Sequence, residues 1–175
     1  SRFLIVWAQT LLSPLVSSLL FLSVLSIAIG NERGDVLGHS FISFLAPGLI
    51  AMSVIQQAFS HSVSSIMIAK IQGNIIDTLM APLSAVEVSI AIILAAVTRS
   101  IIILLISIAV FSLIIDLSID NFFYILIGTF LGSAILGALG FITGLWAEKF
   151  DHTATITNFI ITPLSFLSGV FYSVE

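Results

Sequence analysis

Residues 88–115 read VSIAIILAAVTRSIIILLISIAVFSLII. One charged side chain, Arg99, interrupts an otherwise apolar run. About 20 such residues carry a helix across the roughly 30 Å of hydrocarbon in a bilayer. A membrane strand would alternate apolar and polar residues, and this run does not. Backbone groups in lipid must bond within their own segment, so the run predicts a membrane-spanning helix.

The same texture extends through the chain. Of 175 residues, 59% are hydrophobic and only 8% charged, and the mean hydropathy is +1.25. A soluble domain carries about 25% charge, so the composition places the chain in a membrane. The net charge of −4, with five Lys and Arg in all, excludes a basic nucleic-acid surface. The absence of cysteine excludes disulfides and thiolate metal sites.

Four further runs flank the first. They cover Phe3–Ile29 with Pro14 inside, Phe41–Phe59, Phe122–Ala147, and Ala154–Tyr172 with Pro163 inside. Pro14 predicts a kink. The first run is too long for a signal-peptide core and has no cleavage site. Polar breaks fall at 30–40, 116–121 and 148–153. The reading is an all-α, polytopic membrane protein with five transmembrane helices in a single domain, 1–175. The chain enters an apolar run directly after Ser1 and stops after FYSVE, which suggests an excerpt truncated at both ends.

Placing the N-terminus in the cytoplasm puts Arg2, Lys70 and Lys149 inside and only Arg33 outside, as the positive-inside rule prefers. The loop acids Glu32, Asp35, Asp116 and Asp120 are then external. Trp7, Phe122, Phe123, Tyr124, Trp146, Phe171 and Tyr172 fall where interfacial aromatic belts are expected.

On the cytoplasmic side of the long run lies GNIIDTLMAPLSAVEV (73–88). From Ile68 to Met80, the positions of Lys70, Asn74, Asp77 and Thr78 make one polar stripe at helical spacing. Isoleucines, Leu79 and Met80 fill the other side, the pattern of an amphipathic helix. Gly73 opens the quoted stretch. Pro82 stops the helix and pushes Ala81 out of helical conformation. Ser84 and Glu87 then match the capping box that satisfies orphan amides at a helix start. The plain reading is a helix lying on headgroups; the sharper one is that its wet face docks a cytosolic partner.

Arg99 would sit near mid-bilayer if the third span used its whole run. The helix from Ser84 to Asp116 would be about 48 Å long, more than a bilayer needs. A core from Ala96 to Ile115 instead puts Arg99 in the first cytoplasmic turn, where it can snorkel. That placement is the expectation; a buried pair or a place in a translocation path is the alternative. In the fourth span, Gly128, Gly132, Gly140 and Gly144 recur at multiples of four, which predicts close helix packing. His39, His61 and His152 lie in separate polar breaks without metal-ligand spacing, so no metal site is expected. No nucleophile elbow is present. Serines in the spans are expected to bond their own helix backbone.

Four pieces together carry a resemblance: QTLLSPL (9–15), FLAPGLIAM (44–52), GNIIDTLMAPLSAVEV (73–88) and TPLSFLSGVFYSVE (162–175). In order and spacing the chain resembles the membrane subunit of ABC-2-type exporters. The resemblance implies six spans in a full subunit, with the N-terminus inside. It also implies an amphipathic segment before the first span, and a dip back into the outer leaflet after Ser168–Tyr172. Residues 66–84 would include the element that couples to a separate ATP-binding subunit, with Lys70, Gly73, Asn74, Asp77, Thr78, Pro82 and Glu87 as its candidate residues. Two permease copies, a homodimer or close paralogues in a lipid membrane, would line a path with largely apolar walls. Amphiphiles such as lipids, lipid-linked glycans or drug-like molecules would move outward along it. The expected location is a bacterial inner or plasma membrane.

A phosphate-binding loop needs G-x-x-x-x-G-K-[ST]. The only lysines, Lys70 and Lys149, follow Ala69 and Glu148, so no such loop exists in this sequence. The chain is then no enzyme; ATP and Mg would belong to the partner subunit and no cofactor to this chain. The rival reading is an ATP-independent channel or secondary carrier. Ion-coupled carriers place acids deep in their spans, and none of the five runs has an Asp or Glu in its middle. An intramembrane enzyme ranks last, lacking any catalytic set.

Overall fold

The computed structural model describes residues 15–24, 27, 41–114 and 122–166. Seven α-helical stretches and one π-helical turn make up the described chain: α1 (Leu15–Val24), α2 (Phe41–Gln72), α3 (Ile75–Met80), α4 (Ala85–Ser112), α5 (Phe122–Trp146), α6 (Phe150–Ile156), the π turn Thr157–Ile161, and α7 (Thr162–Phe166). Two of them, α4 and α5, are long and apolar enough to cross a membrane. The ends of the first span, with Pro14, and the 116–121 turn lie outside the described residues. So does the chain beyond Phe166.

Helix α2 does not stop at Phe59, where the second apolar run ends. It continues to Gln72, about 48 Å at 1.5 Å per residue. Residues 60–72 contain no glycine or proline, and Ser65 Oγ turns back to His61 O at 2.8 Å. The hydropathy falls there while the backbone bonding persists. The break comes at Gly73, whose φ of +76° is open to glycine at little cost. Its N–H closes the helix on Lys70 O, the left-handed ending that glycine favours.

The expected amphipathic helix 68–80 is therefore two pieces. Lys70 belongs to the last turn of α2, whereas Asn74 stands at the N-cap position of α3 without a side-chain capping bond and Asp77 lies in its first turn. The proposed stripe from Lys70 to Thr78 does not form one face, because Gly73 redirects the chain between them. Pro82 does act as the stop: Ala81 is extended at φ −62°, ψ 145°. Ser84 then starts α4 with both halves of the capping box in place.

The last expected span also begins differently. Helix α6 starts at Phe150, four residues before Ala154, so the polar break shrinks to 147–149. The π turn follows, immediately before Pro163. Proline donates no hydrogen bond and crowds the carbonyl four residues back; here Thr162 N–H bonds Thr157 O instead.

Helices α2, α4 and α5 form the bundle, with α2 lying along α5 most extensively. Leu15 and Leu22 of α1 join Leu49, Ile50 and Val54 of α2 and Ile103, Leu104 and Phe111 of α4 in one apolar cluster. A second cluster, around Phe59, Val63, Met67, Ala147 and Ile161, closes the other end.

Candidate functional site

Three features of the bundle hold the residues singled out in the sequence. The first is the corner where α2 leaves the bundle. Lys70 Nζ donates to the carbonyls of Leu145 and, at 2.9 Å, of Ala147. The final carbonyls of a helix lack partners within it and carry its partial negative charge. Lysine thus ties the end of α2 to the end of α5. The rings of Trp146 and His152 meet at the same corner, 5.7 Å apart.

Beyond this corner the chain projects freely. Gly73, Asn74, Asp77, Pro82 and Glu87 are all exposed. Asn74 Nδ2 reaches back to Gln72 Oε1 at 3.2 Å. Thr78 lies within α3, its side chain outside the described set. Apolar side chains are exposed here too, among them Ile76, Met80, Leu83 and Val86. Glu87 Oε2 accepts from Ser84 N–H at 2.7 Å and from Ser84 Oγ at 2.8 Å. The backbone bond, and then the hydroxyl bond, hold the Glu87 carboxyl below its ordinary range.

The second feature is Arg99. The guanidinium does not run along α4 to the helix end as a snorkelling side chain would. It turns across to α2, where Nη1 lies 3.2 Å from His61 Nδ1. A guanidinium can only donate, so Nδ1 accepts and His61 is the neutral Nε2–H tautomer. Arg99 Nε is buried with no partner among the described residues.

Depth follows from the packing. A Cβ on Gly137 would lie 3.5 Å from Ala96, and Arg99 is one turn further along α4. Since α4 and α5 are successive antiparallel helices, Arg99 is level with the middle of α5. Along α2, His61 is about 13 Å from Lys70, nine residues at 1.5 Å each. Arg99 is thus a mid-bundle residue whose side chain turns toward α2 rather than toward the end of α4. His61 escaped notice as its partner because it lies 38 residues upstream, in a polar break rather than in an expected span.

The third feature is the glycine seam between α5 and α2. A Cβ on Gly132 would meet Ile55 at 3.1 Å, on Gly144 Ile66 at 2.9 Å, and on Gly140 the Phe59 carbonyl oxygen at 2.5 Å. Gly128 has nothing within 4 Å. Steps of four residues drift by about 40° each on a 3.6-residue helix, so the four glycines do not share one face. Gly137, outside that set of four, packs against Ala96 and Ser62.

A groove of about 230 Å³ lies beside the seam, between α2 and the α6–π segment. Ser60, Ser64, Thr153, Thr157 and Asn158 line it together with apolar Phe59, Val63, Phe150 and Ala154. Its two sides are some 90 residues apart in the chain, so no local pattern announces it. Among the described residues, no group of three or more His, Asp or Glu could hold a metal ion.

Long apolar helices closed by glycine and tied at one corner define a polytopic helical membrane protein. The chain belongs to the ABC-2 type transporter family, whose family model matches residues 1–175. It is 31% identical over 172 residues to the inner membrane transport permease YadH of Escherichia coli K12, covering 98% of this chain and 67% of that protein. The YadH permeases of Escherichia coli O157:H7 and Shigella flexneri match to the same extent. No solved structure matches the chain. The protein is a transport permease, multi-pass, of the inner or plasma membrane.

Proposed function

We propose that this chain is the membrane-spanning subunit of an ABC exporter. ATP would be hydrolysed on a separate cytosolic subunit that also holds Mg, and an amphiphile would move outward between two permease copies. The observation that carries this reading is the exposed segment 73–87, which leaves the bundle at the Lys70 corner. It offers acids, Asp77 and Glu87, beside exposed Ile76, Met80 and Leu83, the mixture that suits a protein partner. The lack of a phosphate-binding loop in this sequence supports a division of labour. Closure of the ATPase pair would push on α3, and α2 would receive that push through Gly73.

Asp77→Arg tests the contact. The side chain is exposed, so the variant should fold, with an unchanged melting temperature in detergent. It should lose at least tenfold in co-purification with the P-loop ATPase. Wild-type levels of both binding and transport would refute docking through α3. An ion-coupled carrier is less well supported, because α2 and α5 contain no Asp or Glu and α4 contains only Glu87 in its first turn.

A further inference from the structure

Helix α2 carries a polar stripe that its packing does not explain. Ser53, Gln57, Ser60 and Ser64 recur at i, i+4, i+7 and i+11, one face of a helix. The opposite face, with Val54, Ala58, Phe59, Ser62 and Ile66, is buried in the bundle. The stripe is therefore turned outward; Ser60 is exposed and the others are partly so. It lies at the level of Arg99, in the middle of the bundle. Polar side chains at that depth are costly against lipid and mark paths or interior faces.

At the edge of this stripe sits the Arg99–His61 pair. Its donors outnumber its acceptors. The bond between Nη1 and Nδ1 consumes one N–H, leaving Arg99 Nε without a partner and the His61 Nε2–H as a further donor. No acid in α2, α5 or the inner part of α4 can neutralise the cation. A second copy of the same helices would bring no acid either. Among the described residues no acceptor meets these remaining donors. On its other side the stripe runs into the groove through Ser60 and Ser64, where Thr157 and Asn158 add uncharged hydrogen-bonding groups.

We propose that Arg99 and His61, with the α2 stripe, form a site for the anionic headgroup of an amphiphile, a phosphate or similar oxyanion. The guanidinium meets two oxygens of such a group side by side. The hydroxyls of the stripe and the Gln57 amide accommodate the polar atoms around it. The stripe then lays a polar strip along the α2 side of a path whose other walls include apolar side chains. The site deepens the exporter reading by naming the substrate's headgroup chemistry, and rests on that reading only for the direction of movement.

Titration calorimetry on the full chain in an uncharged maltoside detergent tests it. Dodecyl phosphate and dodecylphosphocholine share a chain and a phosphate, but only the first has a net negative headgroup. The wild type should bind dodecyl phosphate at least tenfold more tightly. Arg99→Gln should abolish the preference, while Arg99→Lys, which keeps the charge but not the paired donors, should retain part of it and serves if the glutamine variant unfolds. An equal affinity of the wild type for both probes, or a preference that survives Arg99→Gln, would overturn the site. Inorganic phosphate binding as tightly as dodecyl phosphate would assign the site to a free anion and overturn the amphiphile. The measurement needs neither ATP nor a partner, so its outcome is separate from that of Asp77→Arg.

Discussion

Ser84 and Glu87 show how much a single pair of residues can reveal. The capping box was legible because its logic is local: four consecutive residues decide whether two orphan amides find partners. Both bonds are present. Because the folded state holds the Glu87 carboxyl below its ordinary value of 4.5, folding favours the ionised form. That contribution is complete above the free value and is lost as pH falls through the lower folded value. The melting temperature of the wild type should therefore exceed that of Glu87→Gln most clearly near neutral pH. The gap should narrow once the pH drops below 4.5 and close below the folded value. A gap independent of pH would show that the charge plays no part. Arg99 is the opposite case. Its residue type and the length of its helix were visible, but its direction was decided by His61 on another element, and no local pattern encodes that meeting.

Among the elements, α2 shows the difference between hydropathy and backbone. Its apolar signal fades near Phe59, yet thirteen more residues stay helical because nothing in them stops a helix. The true stop, Gly73, opens the 73–88 stretch, and its left-handed φ leaves no mark in the hydropathy. The π turn before Pro163 left no trace except the proline. The seam between α2 and α5 was legible as a glycine pattern but not in its details, since helical drift takes Gly128 off the contact. This makes a paired prediction. Gly140→Ala puts a Cβ 2.5 Å from the Phe59 carbonyl oxygen, and backbone cannot step aside as a flexible side chain could. It should destabilise the bundle by about 1–3 kcal/mol. Gly128→Ala meets open space and should be neutral or stabilise by up to about 1 kcal/mol. Thermal denaturation of both in one detergent checks the contrast; equal effects would mean that the close approach at Gly140 is relaxed in the membrane.

For the whole molecule, composition alone declared a membrane protein, and the spaced motifs declared the family. Orientation was argued from a handful of charges. The described helices supply clean reporters for it, because the chain has no cysteine of its own. Gln72→Cys, at the α3 end of α2, should react with a membrane-impermeant maleimide only in inside-out vesicles. Leu113→Cys, exposed just past the far end of α4, should react only in right-side-out ones. The reverse pattern would invert the topology. The arrangement of the bundle was the least legible level, since it depends on contacts such as that of Lys70 with a helix end 75 residues away. That tie has a mechanical meaning. The chain departs for α3 from one side of the fastened corner and for α6 from the other. With the glycine seam holding the two long helices in contact below it, a torque applied at α3 cannot be spent bending α2 alone. It would turn both helices together and reach the start of α6 through the tied Ala147 carbonyl.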